Sequence, residues 1–271
     1  MRRIVISIVF LVSLSCDRAE YYPDKPLPAT KPRILAHAGG GDFDTANTMA
    51  ACVHGLSVYD GIEVDLAMSQ DGTLWLAHDN ATKPCGTSGA ECFHETSDAR
   101  IEEINKCMGT TMSYPRLTSV FEYIAKNHPT SFISLDVKAW TPCGLGDVNI
   151  TRNMNKEAQK IIDLVEKYGL QNRVMVESEV GDFLWYVKTN CTFIETYLTT
   201  FGDYELGTSR AIGAGFSGVS FKFKFTEVIN KELIDMLHRK GLKIQVWTVE
   251  SPDDRQEAID VGADFIQTDD F

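Results

Sequence analysis

Short apolar runs alternate with amphipathic helical stretches from Arg33 almost to the last residue, and this alternation most constrains the fold. Strand-like runs fall at 33–38, 61–68, 131–138, 173–179, 192–199, 216–223, 243–249 and 263–268. Helical patterns lie between most of them, at 47–58, 118–127, 152–168, 181–189, 203–211, 228–239 and 253–260. Gly169, Gly213 and Gly241 stand near helix ends, where a left-handed cap is wanted. Strands joined by helical crossovers pair in parallel, and eight of them predict an α/β, (β/α)8 TIM-type barrel over residues 33–271. A doubly wound open sheet is the runner-up, but no G-x-G-x-x-G follows the first strand. At 271 residues and 44% hydrophobic, the chain can bury one large core. Little sequence follows the eighth strand, so the last outer helix is expected to be short or missing.

Residues 1–15 read as an export signal peptide: Arg2 and Arg3, then an apolar run Ile4–Leu14, then small residues near a cleavage point. The run is too short for a mature transmembrane helix. Cys16 stands where a bacterial lipoprotein carries its lipid, although Ser13 occupies the usual Leu position. A membrane tether through Cys16 and plain secretion both stay open. Residues 16–32, Pro-rich and polar, read as an N-terminal arm or tether. The other cysteines are Cys52, Cys85, Cys92, Cys107, Cys143 and Cys191, an even number that suits an oxidising compartment. Cys85 and Cys92 flank a Gly-containing loop and could pair locally. Without Arg2 and Arg3 the chain carries 24 basic and 38 acidic residues, a net −14. So acidic a surface argues against nucleic acid as a partner. It would also repel an anionic substrate unless the site held its own cation.

A ninth strand-like run, Thr73–His78, follows the second strand after Asp71-Gly72. That dipeptide signals a two-residue hairpin turn. With such a turn Gln70 faces Thr73, Asp65 faces His78 and Glu63 faces Asn80. Directly opposed residues share a face, and so do residues two apart on one strand. Glu63, Asp65 and His78 are thereby expected together, while Ile62, Val64 and Leu66 point the other way.

Two further groups belong at the same mouth. His37 ends the first strand, and Asp136 and Lys138 end the strand Ser134–Lys138. In (β/α)8 barrels the C-terminal strand ends carry the active site. Charges inside apolar strands are costly unless paired or ligated. Glu63, Asp65 and Asp136 therefore form an oxygen-rich candidate site for one divalent cation, Mg2+ or Ca2+. Zinc fits less well, since the cysteines lack paired ligand spacing. Lys138 is a candidate substrate-binding cation, with pairing to Asp136 as its bland alternative. Lys222 and Lys224 are weaker candidates, read mainly as surface charges. His54, His94, His128 and His238 read as structural, without acidic partners.

The ordered set His37-Ala38-Gly39, Ala46-Asn47-Thr48, Glu63-Val64-Asp65, His78-Asp79, Asp136-Val137-Lys138, Trp247-Thr248 and Thr268-Asp269 resembles the glycerophosphodiester phosphodiesterase family. The resemblance runs from about Ile34 to Asp270. It implies a phosphatidylinositol-phospholipase-like barrel, a metal held by Glu63, Asp65 and Asp136, and His37 and His78 as base and acid. The implied reaction is metal-dependent hydrolysis of glycerophosphodiesters to glycerol phosphate and an alcohol. Three departures stand out: Ala38 replaces the family's Arg, Ala46 its Glu, and Asp136 the Glu of Glu-x-Lys. Asp42 or Asp44 could reach the space left at Ala46. Trp247 is a candidate to line the alcohol pocket, with a core aromatic as its alternative. The loop after His78 also resembles that of sphingomyelinase D-like phospholipases. A phospholipase D-type enzyme acting on a lysolipid or other lipid phosphodiester is thus one alternative, and a non-catalytic ligand-binding barrel is another.

Overall fold

β2 (Gly61–Met68) shows how the chain builds its sheet. All eight of its residues are buried, because one face packs on helices and the other fills the barrel. Ile62, Val64 and Leu66 join the main apolar cluster, while Glu63 and Asp65 share the interior face. The structure, a computed structural model, describes residues 31–270 apart from 41–43, 80, 83–88, 110–111, 140–146, 203 and 225–228. The export segment, nearly all of the arm, Cys16, Cys85, Cys143 and Asp42 lie outside the described residues.

The ring begins with β1 (Arg33–Ala36) and α1 (Met49–Val58). After β2 come β3 (Leu74–Leu76), the short pair β4 (Ala81–Thr82) and β5 (Glu91–Cys92), α2 (Asp98–Met108) and α3 (Leu117–Asn127). Strands and helices then alternate: β6 (Phe132–Val137), α4 (Asp147–Tyr168), β7 (Val174–Ser178), α5 (Gly181–Asn190), β8 (Glu195–Thr200) and α6 (Tyr204–Ala214). β9 (Gly218–Lys222), α7 (Lys231–Arg239), β10 (Lys243–Val249), α8 (Pro252–Val261) and β11 (Phe265–Thr268) complete the order. Eight parallel strands run β1-β11-β10-β9-β8-β7-β6-β2, and β1 pairs with β2 to close the barrel. The expected fold is therefore found. α2, β4 and β5 had no counterpart in the sequence reading. Among the described residues no helix is long and apolar enough to cross a membrane.

The hairpin after β2 is present, but its register differs from expectation by one residue. Leu66 pairs with Leu76 and Met68 with Leu74, so Gln70, Asp71 and Gly72 form a three-residue loop. Gly72 takes φ +82°, the left-handed residue such a loop needs. Asp65 consequently faces Ala77, whose N–H donates to the Asp65 carbonyl at 3.0 Å, and not His78. The cause lies outside the hairpin. The Asp71 side chain accepts from the Asp98 N–H at 2.7 Å, at the start of α2. Asp98 in turn accepts from Ser69 Oγ, Thr73 Oγ1 and Trp75 Nε1.

The barrel interior is layered. At the N-terminal strand ends Leu35, Met175, Tyr197 and Phe265 form a separate apolar plug. Each such large side chain contributes about 1.5–3 kcal/mol on burial. Above it Glu177 of β7 is almost fully buried. Its carboxylate accepts from Ser134 Oγ at 3.0 Å, Ser220 Oγ at 2.7 Å and Gln267 Nε2 at 2.6 Å. Four strands thus meet on one carboxylate, which satisfies a charge otherwise too costly to bury. Cys52 and Cys191 are free thiols, so the even cysteine count does not translate into complete pairing. Burial, with the Glu63 charge adding to it, pushes the Cys52 thiol up to about 12, which keeps it inert. His54 lies 3.5 Å from Asp44, and His238 Nε2 lies 2.8 Å from Asp264. Both therefore have the acidic partners that the sequence reading denied them, and His238 acts as a buried tie between α7 and the loop before β11.

Candidate active site

The third layer, at the C-terminal strand ends, is a cavity of about 240 Å³. Its lining includes His37, Glu63, Asp65, His78, Asp136, Lys138 and Trp247, so all seven predicted site residues meet there.

β1 delivers His37 and then turns sharply. Ala38 and Gly39 both have positive φ, 49° and 86°. The turn aims the Ala38 N–H at Glu63 Oε2, 2.8 Å away. Asn47, also left-handed at φ 58°, donates its amide N–H to the Ala38 carbonyl at 2.7 Å. Its side chain donates to Asp65 Oδ2 at 2.8 Å and accepts from the Asp65 N–H at 2.9 Å. The segment after β1 thereby fixes both carboxylates of β2. Asp44 does not replace the family's Glu here, since it pairs with His54.

β2 and β6 lie in register with Asp65 beside Asp136. One oxygen each from Glu63, Asp65 and Asp136 lies within 4.8 Å of the others. Burial, and then the neighbouring Asp65 charge, hold the Glu63 carboxyl well above the usual carboxylate range, while His37 eases it down. Burial also pushes Asp136 up, and Lys138 pulls it back. Lys138 Nζ lies 3.0 Å from Asp65 Oδ1 and also contacts Asp136. Burial disfavours its ammonium, but the two carboxylates more than compensate and raise its pKa. Three clustered carboxylates, two buried and one partly exposed, face one ammonium, and a further cation would let all three ionise. Hard oxygen donors without a nearby thiolate fit a divalent cation of the Mg2+ or Ca2+ kind.

His37 Nδ1 lies 2.8 Å from Asp269 Oδ1, and Nε2 lies 3.9 Å from Glu63 Oε2. Burial alone would push its pKa down. The hydrogen bond to Asp269 and the charges of Glu63, Asp269 and Asp65 outweigh this and raise it to about 9. His78 Nδ1 lies 3.0 Å from Asp79 Oδ1, and its ring is largely exposed. Each imidazole thus has Nδ1 engaged by a carboxylate, which leaves Nε2 for chemistry. His78 reaches the cavity because the chain leaves the sheet after Leu76, not through hairpin pairing.

Glu177, Glu179, Thr199, Phe201 and Gln267 also line the cavity, and the sequence reading missed them as site residues. Phe201 stands edge-on to Trp247, with centroids 5.5 Å apart, and is half exposed at the mouth. Glu177 carried the same signal as Glu63, a carboxylate inside the apolar strand Val174–Ser178. Lys224 pairs with Asp254 and Glu257, and neither it nor Lys222 lines the cavity.

The sequence model of the glycerophosphoryl diester phosphodiesterase family matches residues 37–271. The chain belongs to this family. Membership makes it a phosphoric diester hydrolase, and the family's enzymes use a divalent metal. A glycerophosphodiester phosphodiesterase of Caldanaerobacter subterraneus is 25% identical over 248 residues, covering 89% of this chain and 95% of that protein. A lysophospholipase D of Rattus norvegicus is 22% identical, covering 88% and 83%. Among solved structures, a glycerophosphoryl diester phosphodiesterase from Silicibacter pomeroyi superposes with a TM-score of 0.74 at 18% identity, covering 91% of this chain and 92% of that one. A phosphodiesterase from Oleispira antarctica, in complex with its product sn-glycerol-3-phosphate, gives 0.70 at 16% identity, covering 88% and 93%. These neighbours share the barrel.

Proposed function

We propose that the protein hydrolyses glycerophosphodiesters to glycerol phosphate and an alcohol, with His37 and His78 as base and acid beside a divalent cation. The observation that carries this is the single cavity that unites the three-carboxylate cluster with two imidazoles, each fixed at Nδ1 by a carboxylate.

Glu63, Asp65 and Asp136 would hold the cation. When bound, it supplies Lewis-acid stabilisation of charge on the phosphate oxygens. Lys138 adds a fixed positive charge at the same place, and with Ala38 in the family's Arg position it is the cavity's principal phosphate contact. His37, oriented by Asp269, takes a proton at Nε2 from the attacking hydroxyl, which belongs to water or to a neighbouring substrate hydroxyl. His78, oriented by Asp79, gives a proton from Nε2 to the leaving oxygen. Trp247 and Phe201 form an apolar wall for the organic part of the substrate.

The test is a panel of glycerophosphodiesters incubated with Mg2+ or Ca2+, with products followed by phosphorus NMR. Release of glycerol phosphate, its loss with chelator, and its loss in His37→Ala and in His78→Ala are expected. Chelator-insensitive turnover would reject the metal assignment. The half-exposed Phe201 at the mouth also favours a second reading, in which the diester belongs to a lysolipid. A preference for micellar lysophosphatidylcholine over soluble diesters would select it.

We also propose that the chain is exported, either secreted or held at the membrane through Cys16. The apolar segment Ile4–Leu14 supports this. Labelling of Cys16 with a fatty-acid probe distinguishes the two fates.

A further inference from the structure

A second cavity, of about 250 Å³, adjoins the first, and His78 lines both. Asn47, the clamp on Asp65, also lines the second cavity. Its character differs from that of the first. Leu76, Ala77 and Ala81 come from the hairpin arm, Met108 and Met112 from the end of α2 and beyond, and Ala46 from the turn before α1. Among the described residues no lysine or arginine lines it, and the acidic groups there reduce to Asp79, which is engaged with His78. Methionines are flexible and polarisable, so a wall containing two of them adapts to apolar groups of different shape. Three alanines leave the room. At Ala46 a family glutamate would have put a carboxylate into this space.

We infer that this second cavity receives the leaving alcohol, and that it selects phosphodiesters whose alcohol is an apolar alkyl chain over those whose alcohol is small and charged. The inference rests on the assignment of His78 as the acid. The residue that protonates the leaving oxygen must sit beside that oxygen, and the carbon attached to it must then go where His78 has space. On one side of His78 stand the carboxylates and Lys138; on the other stands the methionine-lined cavity. An alkyl group in that cavity displaces water from apolar surface, whereas an ammonium group would be desolvated there with only Asp79, already engaged with His78, to offset its charge. Ala46 and Met112 are then specificity-determining residues. They touch the alcohol without taking part in proton transfer.

The experiment is a homologous series of glycerophospho-n-alkyl esters, from methyl to octyl, assayed with the metal-loaded wild-type protein alongside glycerophosphocholine. kcat/KM should rise about two- to fourfold per added methylene and level off once the cavity is full. Glycerophosphocholine should fall below the butyl ester. Ala46→Glu and Met112→Glu should flatten the rise, with thermal melting confirming the fold of each. If the series is flat in the wild type while the protein cleaves every member, the alcohol does not enter this cavity and the inference is overturned. An equal rise in both glutamate variants overturns it too. Absence of cleavage of any ester would instead reject the hydrolase reading on which it rests, and the two failures are thereby distinguished.

Discussion

Lys138 and a bound divalent cation do the same electrostatic work, and removal of the lysine should therefore reveal the cation. Lys138 Nζ lies 3.0 Å from Asp65 Oδ1 and contacts Asp136, within the cluster whose oxygens lie 4.8 Å or less apart. At an effective dielectric constant of about 20, the attraction at 3.0 Å is about 5 kcal/mol before desolvation is charged against it. Breaking a buried pair by removing one partner typically costs about 3–5 kcal/mol, because the other charge stays behind. Lys138 keeps 21% of its side chain exposed, so we expect about 2–4 kcal/mol for Lys138→Met in chelator. In a barrel of this size that lowers Tm by about 5–15 °C. Saturating Mg2+ or Ca2+ should close at least half of the gap between variant and wild type, since the cation no longer competes with the ammonium for Asp65 and Asp136. The assay is thermal or urea unfolding followed by tryptophan fluorescence, for both proteins, with chelator and with each cation. An equal gap under both conditions would show that the carboxylates do not hold the cation, and the reasoning would fail.

Other outcomes follow from the same structure. Asp269→Asn should lower the His37 pKa from about 9, because its largest raising influence is lost. Histidine NMR reads that change directly, and the acid limb of kcat/KM should move to lower pH with it. The raised pKa also stabilises the fold: the contribution is full below the unfolded value near 6.5 and is lost as pH rises through about 9. Asp269→Asn should therefore destabilise most at low pH. Glu157, buried in α4, has its carboxyl pushed up to about 8 by desolvation. Its contribution is present below about 4.5 and is lost as pH rises through about 8, so Glu157→Gln should gain stability over the wild type with rising pH, by up to about 4 kcal/mol in urea melts at pH 8. Gly72→Ala should cost about 1–2 kcal/mol, because φ is +82°, while the end of the Lys156 side chain, 2.7 Å from an added Cβ, can swing aside.

The barrel was legible in the sequence because strand and helix periods alternate visibly, and because Glu63, Asp65, Asp136 and Lys138 interrupt apolar strands. Period two along a strand is a local property, so the pairing of Glu63 with Asp65 on one face survived intact. The hairpin register did not, because a contact 27 residues away decides it: Asp71 caps α2 at Asp98, and the loop gains a third residue. His78 was placed in the right cavity by the wrong pairing. Glu177 was overlooked although it met the same test as Glu63. The partnership of Asp269 with His37 spans 232 residues and has no local signature at all.

That partnership has a consequence for how the molecule comes alive. β1 closes the ring between β2 and β11, so His37, the proposed general base, is seated by the first strand and oriented from just beyond the last. The carboxylate cluster needs β2 and β6, which are complete long before β11 exists. A growing or half-refolded chain can thus gather the three carboxylates proposed to hold the cation while His37 still swings free. Turnover, unlike cation binding, then reports ring closure itself, and in a refolding experiment the two signals should separate in time.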